Sequence, residues 1–149
     1  MSALEPLFTR RTAPGVYRLV SRRGATGLCA EIEAHGWRCF IIDGDAVVDK
    51  PTFLHAVADA LGFPPYFGQN WDALADALAD MTWAQAAGYV LIYEHADRFA
   101  TNEPVQWDMA REILVEACGY WATHGTPFYV LVRGAIAGDG IGVVENARS

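Results

Sequence analysis

Residues 66–81 read "YFGQNWDALADALADM", a stretch that joins an aromatic loop to a short amphipathic segment. Asn70 is a favourable N-cap residue, and the apolar residues that follow it recur at helical spacing, so the sequence predicts a helix over 71–81. Asp72, Asp76 and Asp80 follow one another at every fourth position of that helix. At about 100° per residue, these three carboxylates occupy about 80° of the helix surface and lie opposite the apolar residues.

This carboxylate row (Asp72, Asp76 and Asp80) is unfavourable for the helix by itself, because like charges four residues apart cost about 0.2–0.5 kcal/mol per pair. A solvated helix face is one explanation. Exposed helix faces usually mix Glu with Lys, however, and residues 51–97 contain no Lys or Arg. Tyr66, Phe67, Trp71 and Trp83 flank or interrupt the same segment. Aromatic rings beside unpaired carboxylates are typical of a protein–protein interface, in which rings act as anchors and carboxylates match a basic partner.

Length and charge narrow the class of protein further. The chain has 149 residues, of which 52% are hydrophobic, so we expect one domain with a sizeable core. The net charge is −7, which favours a basic partner and argues against binding to nucleic acid. No run of 18 apolar residues and no signal peptide is present, so we expect a cytoplasmic protein that does not enter a membrane.

Apolar strand segments alternate with helical segments along the chain, which predicts an α/β fold with a parallel sheet. Three buried strands are expected at 38–43, 88–94 and 127–134, with 15–20 as a candidate fourth strand. The helical segments are 24–36, 50–62, 71–81 and 101–125. The three cysteines, Cys29, Cys39 and Cys118, lack CxxC spacing, and their odd number favours reduced structural thiols.

The segment "YFGQNWDALADAL" resembles the signature of the barstar family, which are intracellular inhibitors of a secreted bacterial ribonuclease. Its spacing matches Y-[YF]-G-x-N-x-D-A-L-x-D, and "FLHAVADALGFP", "YVLIYE" and "FYVLVRG" surround it in the expected order. The resemblance covers residues 38–134 and implies a three-stranded parallel sheet with helices packed around it. Residues 1–37 then form an N-terminal strand–helix extension, and residues 135–149 form a Gly-rich tail.

The resemblance also implies a binding site for a basic bacterial ribonuclease. Six positions match residues of the family that contact the nuclease: Tyr66, Asn70, Trp71, Asp72, Ala75 and Asp76. Asp76 matches the residue that enters the nuclease active site, whereas Phe67 and Gly68 match residues that shape the loop. We add Asp80 and Trp83 to this site because they continue the carboxylate row and the aromatic cluster. The family's prototype has Trp at the position of Ala75 and an aliphatic residue at that of Trp71. Its acidic contact on the last long helix corresponds to Glu116 or to Tyr120.

Two other interpretations remain open at this stage. A barstar-like interaction module with a partner other than a ribonuclease is consistent with the exchanged Trp and with the extra N-terminal segment. A Mg²⁺-dependent phosphatase is suggested by "FIIDGDAVV", which places Asp43 and Asp45 after a strand, although such enzymes use a distant lysine and the only lysine of this chain is Lys50. The inhibitor interpretation predicts no enzymatic activity, no cofactor or metal and no small-molecule substrate.

Overall fold

The sheet is the centre of the structure, a computed structural model that describes residues 2–64, 68–134 and 142–145. Its described strands are β1 (Val16–Val20), β2 (Arg38–Asp43), β3 (Tyr89–Glu94), β4 (Phe128–Val132) and β5 (Gly142–Glu145). They lie in the order β2-β3-β4-β1-β5, and every neighbouring pair is parallel. The fold is therefore α/β with a parallel sheet, as the sequence predicts.

The prediction of a three-stranded sheet is wrong, because the described sheet has five strands. β1 pairs with the outer edge of β4, where Val16 lies opposite Val130, and β5 pairs in turn with β1. Without β1, the edge of β4 would present a row of unpaired backbone groups. β1 and β5 thus move the exposed edge of the sheet away from its most buried strands.

Six helices surround the sheet in the described part of the chain. They are α1 (Glu5–Phe8), α2 (Ala25–Ala34), α3 (Lys50–Leu61), α4 (Trp71–Asp80), α5 (Asp97–Asn102) and α6 (Pro104–Thr123). Short 3₁₀ turns at Gly44–Ala46 and Thr82–Ala84 complete the connections. The predicted helix 71–81 is confirmed as α4, which ends one residue earlier. None of the described helices combines the length and the apolar character needed to cross a bilayer.

The core has two layers because side chains of a strand alternate between the faces of the sheet. In β3, Leu91 and Tyr93 face the layer formed by α3 to α6, whereas Val90 and Ile92 face the layer formed by α1 and α2. All five residues of β4 are buried. Residues 1–37 supply both helices of the second layer and also β1, so these elements lie in the same core as the rest. The domain limits 1–37, 38–134 and 135–149 remain a prediction.

Two of the three cysteines form a disulfide bond, so the prediction of reduced thiols is wrong for Cys29 and Cys39. The cause is the packing of α2 on β2, which brings the two Cα atoms to 5.3 Å, within the range that a disulfide spans. Cys118 is free and buried on α6, in agreement with the prediction of a structural thiol. Burial raises the pKa of the Cys118 thiol to about 12.

A thiol titration at pH 8 tests this assignment. We expect no reaction with the folded, unreduced protein, because the reactive thiolate of Cys118 is not formed well below its raised pKa and because its sulfur is buried. Unfolding without a reductant should release one reactive thiol, and unfolding after reduction should release three. Three thiols without a reductant would contradict the Cys29–Cys39 bond.

Candidate partner-binding site

Both ends of α4 are defined by the residues that flank it. At its start, the Asn70 side-chain oxygen accepts a hydrogen bond from the Ala73 amide at 2.8 Å. At its end, Met81 adopts a left-handed conformation, with φ of 51°, and is fully buried. The left-handed residue stops the helix at Asp80 and turns the chain into Thr82–Ala84. The carboxylate row is thereby held on a helix that is defined at both ends.

The carboxylate row faces outward because the opposite side of α4 is anchored in the core. Leu74 and Leu78 are fully buried, whereas Asp72, Asp76 and Asp80 are exposed. Within the described residues, none of these three side chains forms an ion pair or a hydrogen bond. Three carboxylates on one helix face are therefore available to a partner.

Trp71 lies on the flank of α4 that faces α3 and α6, and its ring is half-buried. Its indole N–H donates to the Gln106 Oε1 at 3.2 Å, and its ring centroid lies 6.0 Å from that of Phe53. The Lys50 Nζ lies 5.2 Å from the ring centroid, a cation–π contact. Trp71 thus connects three helices, a role that sequence reasoning did not assign to it. Its contact with a partner remains a prediction.

Trp83 forms one wall of a cleft beside the carboxylate row. Its indole N–H donates to the Leu61 carbonyl at 2.9 Å, and its ring makes an edge contact with Phe63 at 5.7 Å. The cleft has a volume of about 220 Å³, and its lining residues are Pro64, Gly68, Ala73, Asp76, Ala77, Asp80 and Trp83. Two carboxylates and an aromatic ring therefore line one concave surface.

The remaining predicted residues are distributed around this surface. Tyr66 and Phe67 lie outside the described residues. Gly68 is exposed, and a Cβ atom there would lie 3.3 Å from the Asn70 Nδ2 and 3.4 Å from the Ala73 Cβ, so a side chain would crowd the start of α4. Ala75 lies on the flank of α4 away from Trp83, beside α6. There it lines a second cleft together with Glu116 and Tyr120. The structure thus brings both α6 candidates next to Ala75.

The residues of the phosphatase interpretation have other contacts. The Asp43 Oδ1 accepts a hydrogen bond from the Asp45 amide at 3.1 Å, and the Asp45 carboxylate pairs with Arg98 at 2.8 Å. Lys50 is directed to the Trp71 ring. In the described residues, no group of three or more His, Cys, Asp or Glu side chains is placed to hold a metal ion.

Residues 37–133 match the family model described as "Barstar (barnase inhibitor)", which is more than half of the chain. The chain belongs to the barstar family. The matched region agrees within one residue at each end with the resemblance over 38–134. It contains β2, β3, β4 and the helices from α3 to α6, whereas α1, α2, β1 and β5 lie outside it. The two strands that enlarge the sheet are thus additions to the barstar region. No curated protein sequence matches the chain.

Truncation of Trp71 tests its role between the helices. We expect Trp71→Ala to lower the free energy of unfolding by about 3 kcal/mol, because it removes buried ring area and the hydrogen bond to Gln106. Chemical denaturation would measure the change. The control is Val105→Ala, because Val105 is 72% exposed on α6, and it should change the stability by less than about 0.5 kcal/mol. If Trp71→Ala were as stable as Val105→Ala, the Trp71 ring would contribute no more to stability than an exposed side chain.

Proposed function

We propose that this barstar-family protein inhibits a basic bacterial ribonuclease by covering the active site of the nuclease with the outer face of α4. The observation that carries this proposal is the carboxylate row: three exposed carboxylates on one helix, without an ion-pair or hydrogen-bond partner among the described residues. Its position within the barstar region supports the assignment. The protein acts by binding and is not itself an enzyme, and it uses no cofactor, nucleic acid or small-molecule substrate.

The spacing of the carboxylates provides the mechanism. Successive side chains of the row are separated by one helical turn of about 5.4 Å, so they present negative charge at regular intervals, as the phosphates of a nucleic acid do. A ribonuclease holds phosphates with Arg, Lys and His side chains, and these cations would pair with the row. Asp76 lies at its centre, between the cleft at Trp83 and the cleft at α6. Docking there would exclude water and strengthen each charge pair.

The charge of the whole protein supports the same partner. A net charge of −7 would attract a basic protein over long range and accelerate the encounter. Because salt screens this attraction, the association rate should fall as ionic strength rises. We propose a cytoplasmic location because an inhibitor protects a cell where the nuclease is synthesised.

A second candidate function is a barstar-like module that binds a basic protein other than a ribonuclease. The observation in its favour is the placement of Trp71, whose ring is half-buried between α3 and α6, together with Ala75, which offers only a methyl group. The described outer face of α4 therefore lacks a large aromatic anchor. Such a face would select a partner by charge and by the shape of the two clefts.

Truncation of Asp76 tests the docking model directly. With catalytically inactive variants of a panel of basic bacterial ribonucleases, we expect the parent chain to bind at least one. Asp76→Ala should weaken that complex by about 3–5 kcal/mol, because the cations of the partner would stay buried and unpaired. Isothermal titration calorimetry would measure the Kd. The control is Asp59→Ala, since Asp59 is an exposed carboxylate on α3, outside the carboxylate row, and it should leave the Kd unchanged.

The melting temperature of Asp76→Ala should equal that of the parent chain, because the side chain is exposed and has no described partner. Unchanged affinity in this variant would refute the docking model. A parent chain that binds no ribonuclease but captures another basic protein, with the same loss in Asp76→Ala, would favour the second candidate.

The Asp43→Asn variant separates the inhibitor from the phosphatase interpretation. We expect unchanged inhibition, because the Asp43 side chain accepts a hydrogen bond from the Asp45 amide within its own turn and lies on β2, outside the carboxylate row. A phosphomonoester assay with Mg²⁺ should show no turnover for either protein. If the parent chain hydrolysed the phosphomonoester and Asp43→Asn did not, Asp43 would be identified as a nucleophile and the inhibitor proposal would be contradicted.

A further inference from the structure

A second concave surface lies on the side of α4 away from Trp83, and we define it as the α4–α6 groove. It has a volume of about 160 Å³ and is lined by Ala75, Ala79, Ile113, Glu116, Ala117 and Tyr120. Every one of these residues belongs to the described part of the chain. Both walls of the groove are therefore formed by described residues.

The two helices make close contact at the base of the groove. There the Trp121 indole N–H donates to the Leu78 carbonyl at 2.7 Å, and Leu78 is fully buried. Nearer the surface, α4 offers only the methyl groups of Ala75 and Ala79, which cannot reach across to α6. The wall on α6 is apolar and accessible: Tyr120 is 40% exposed, and Met109, on the same flank of the helix, is 42% exposed.

The charges around the groove decide which kind of molecule could cover it. On α4, the exposed Asp72 and Asp76 each lie one helical turn before a lining alanine, Ala75 or Ala79, and are therefore its surface neighbours. On α6, Glu116 lines the groove and Glu112 is exposed one turn before it. α4 contains no Lys or Arg, and Arg111, which α6 carries, pairs with Asp108. A second copy of this chain would bring acidic residues against acidic residues, and an anionic membrane or nucleic acid would be repelled in the same way. Charge complementarity therefore selects a basic protein.

The interior of the groove requires a different chemistry from its rim. Its lining is mostly carbon, so a cation placed inside would lose its hydration without enough acceptors to replace it. An apolar side chain would gain by leaving water there, and the volume has room for one large side chain. An apolar anchor surrounded by charge pairs is also a common arrangement at the centre of interfaces.

We propose that the α4–α6 groove receives one apolar side chain of the basic protein that docks on the carboxylate row, while cations of that partner reach Asp76 on one side and Glu116 on the other. The inference rests on the proposed function and adds a specificity element to it. The row provides attraction to many basic surfaces, and the groove selects those that carry an apolar side chain beside their cations.

Two substitutions test the groove without changing any charge. Ala79→Leu fills it from the α4 side, and Tyr120→Ala removes its wall on α6. With the inactive ribonuclease that binds the parent chain, each variant should raise the Kd at least about tenfold. The dependence of the association rate on salt should stay that of the parent chain, whereas Asp76→Ala should reduce it. The control is Ala30→Leu, at an exposed alanine on α2, which should leave the Kd unchanged.

The outcomes separate this inference from the proposed function. If Ala79→Leu and Tyr120→Ala bind within about twofold of the parent chain while Asp76→Ala does not bind, the groove is not occupied and the inhibitor proposal stands. If the parent chain binds no member of the panel, both proposals fail. Melting temperatures would show whether Ala79→Leu is folded; if it is not, Tyr120→Ala decides, because its side chain is removed from an exposed position.

Discussion

The burial of Leu74 and Leu78 is the contact on which the proposed interface depends. Because a helix on the surface of a domain buries one face, anchoring these two side chains in the core turns Asp72, Asp76 and Asp80 toward solvent. The repulsion between the carboxylates is small compared with the hydrophobic stabilisation of two buried leucines. The fold can therefore carry a row of like charges that would not stabilise an isolated helix.

The sheet gives that helix a rigid support. β3 and β4 are buried on both faces, since their alternating side chains enter the layer of α3 to α6 on one side and the layer of α1 and α2 on the other. The helices of the second layer, like β1, lie outside the matched barstar region. The Cys29–Cys39 bond joins α2 to the edge strand β2. The extra helices α1 and α2 thus cover the face of the sheet opposite the proposed interface.

The proposed interface combines two kinds of recognition on one helix. In this proposal the carboxylate row would act over long range and with little geometric selectivity, whereas the two clefts beside it would act only at contact. Trp71 and Trp83 both use their indole N–H groups inside the protein, toward Gln106 and Leu61, so their rings are held in place. A surface of this kind is preorganised, which reduces the entropy lost when a partner binds.

The sequence by itself determined α4, its cap at Asn70, the outward carboxylate row, the parallel α/β class and the barstar resemblance. The helix, its cap and the row follow from periodicity and capping within a few residues, the fold class follows from the alternation of strand and helix segments, and the resemblance rests on the matched motif, so none of them needs knowledge of distant contacts. Tertiary structure alone decided the pairing of β1 with β4 and with β5, the Cys29–Cys39 bond, the hydrogen bond from Trp71 to Gln106 and the groove between α4 and α6. Each of these joins segments that are separate in the chain, and a local pattern shows which face of an element is apolar but not which element will cover it.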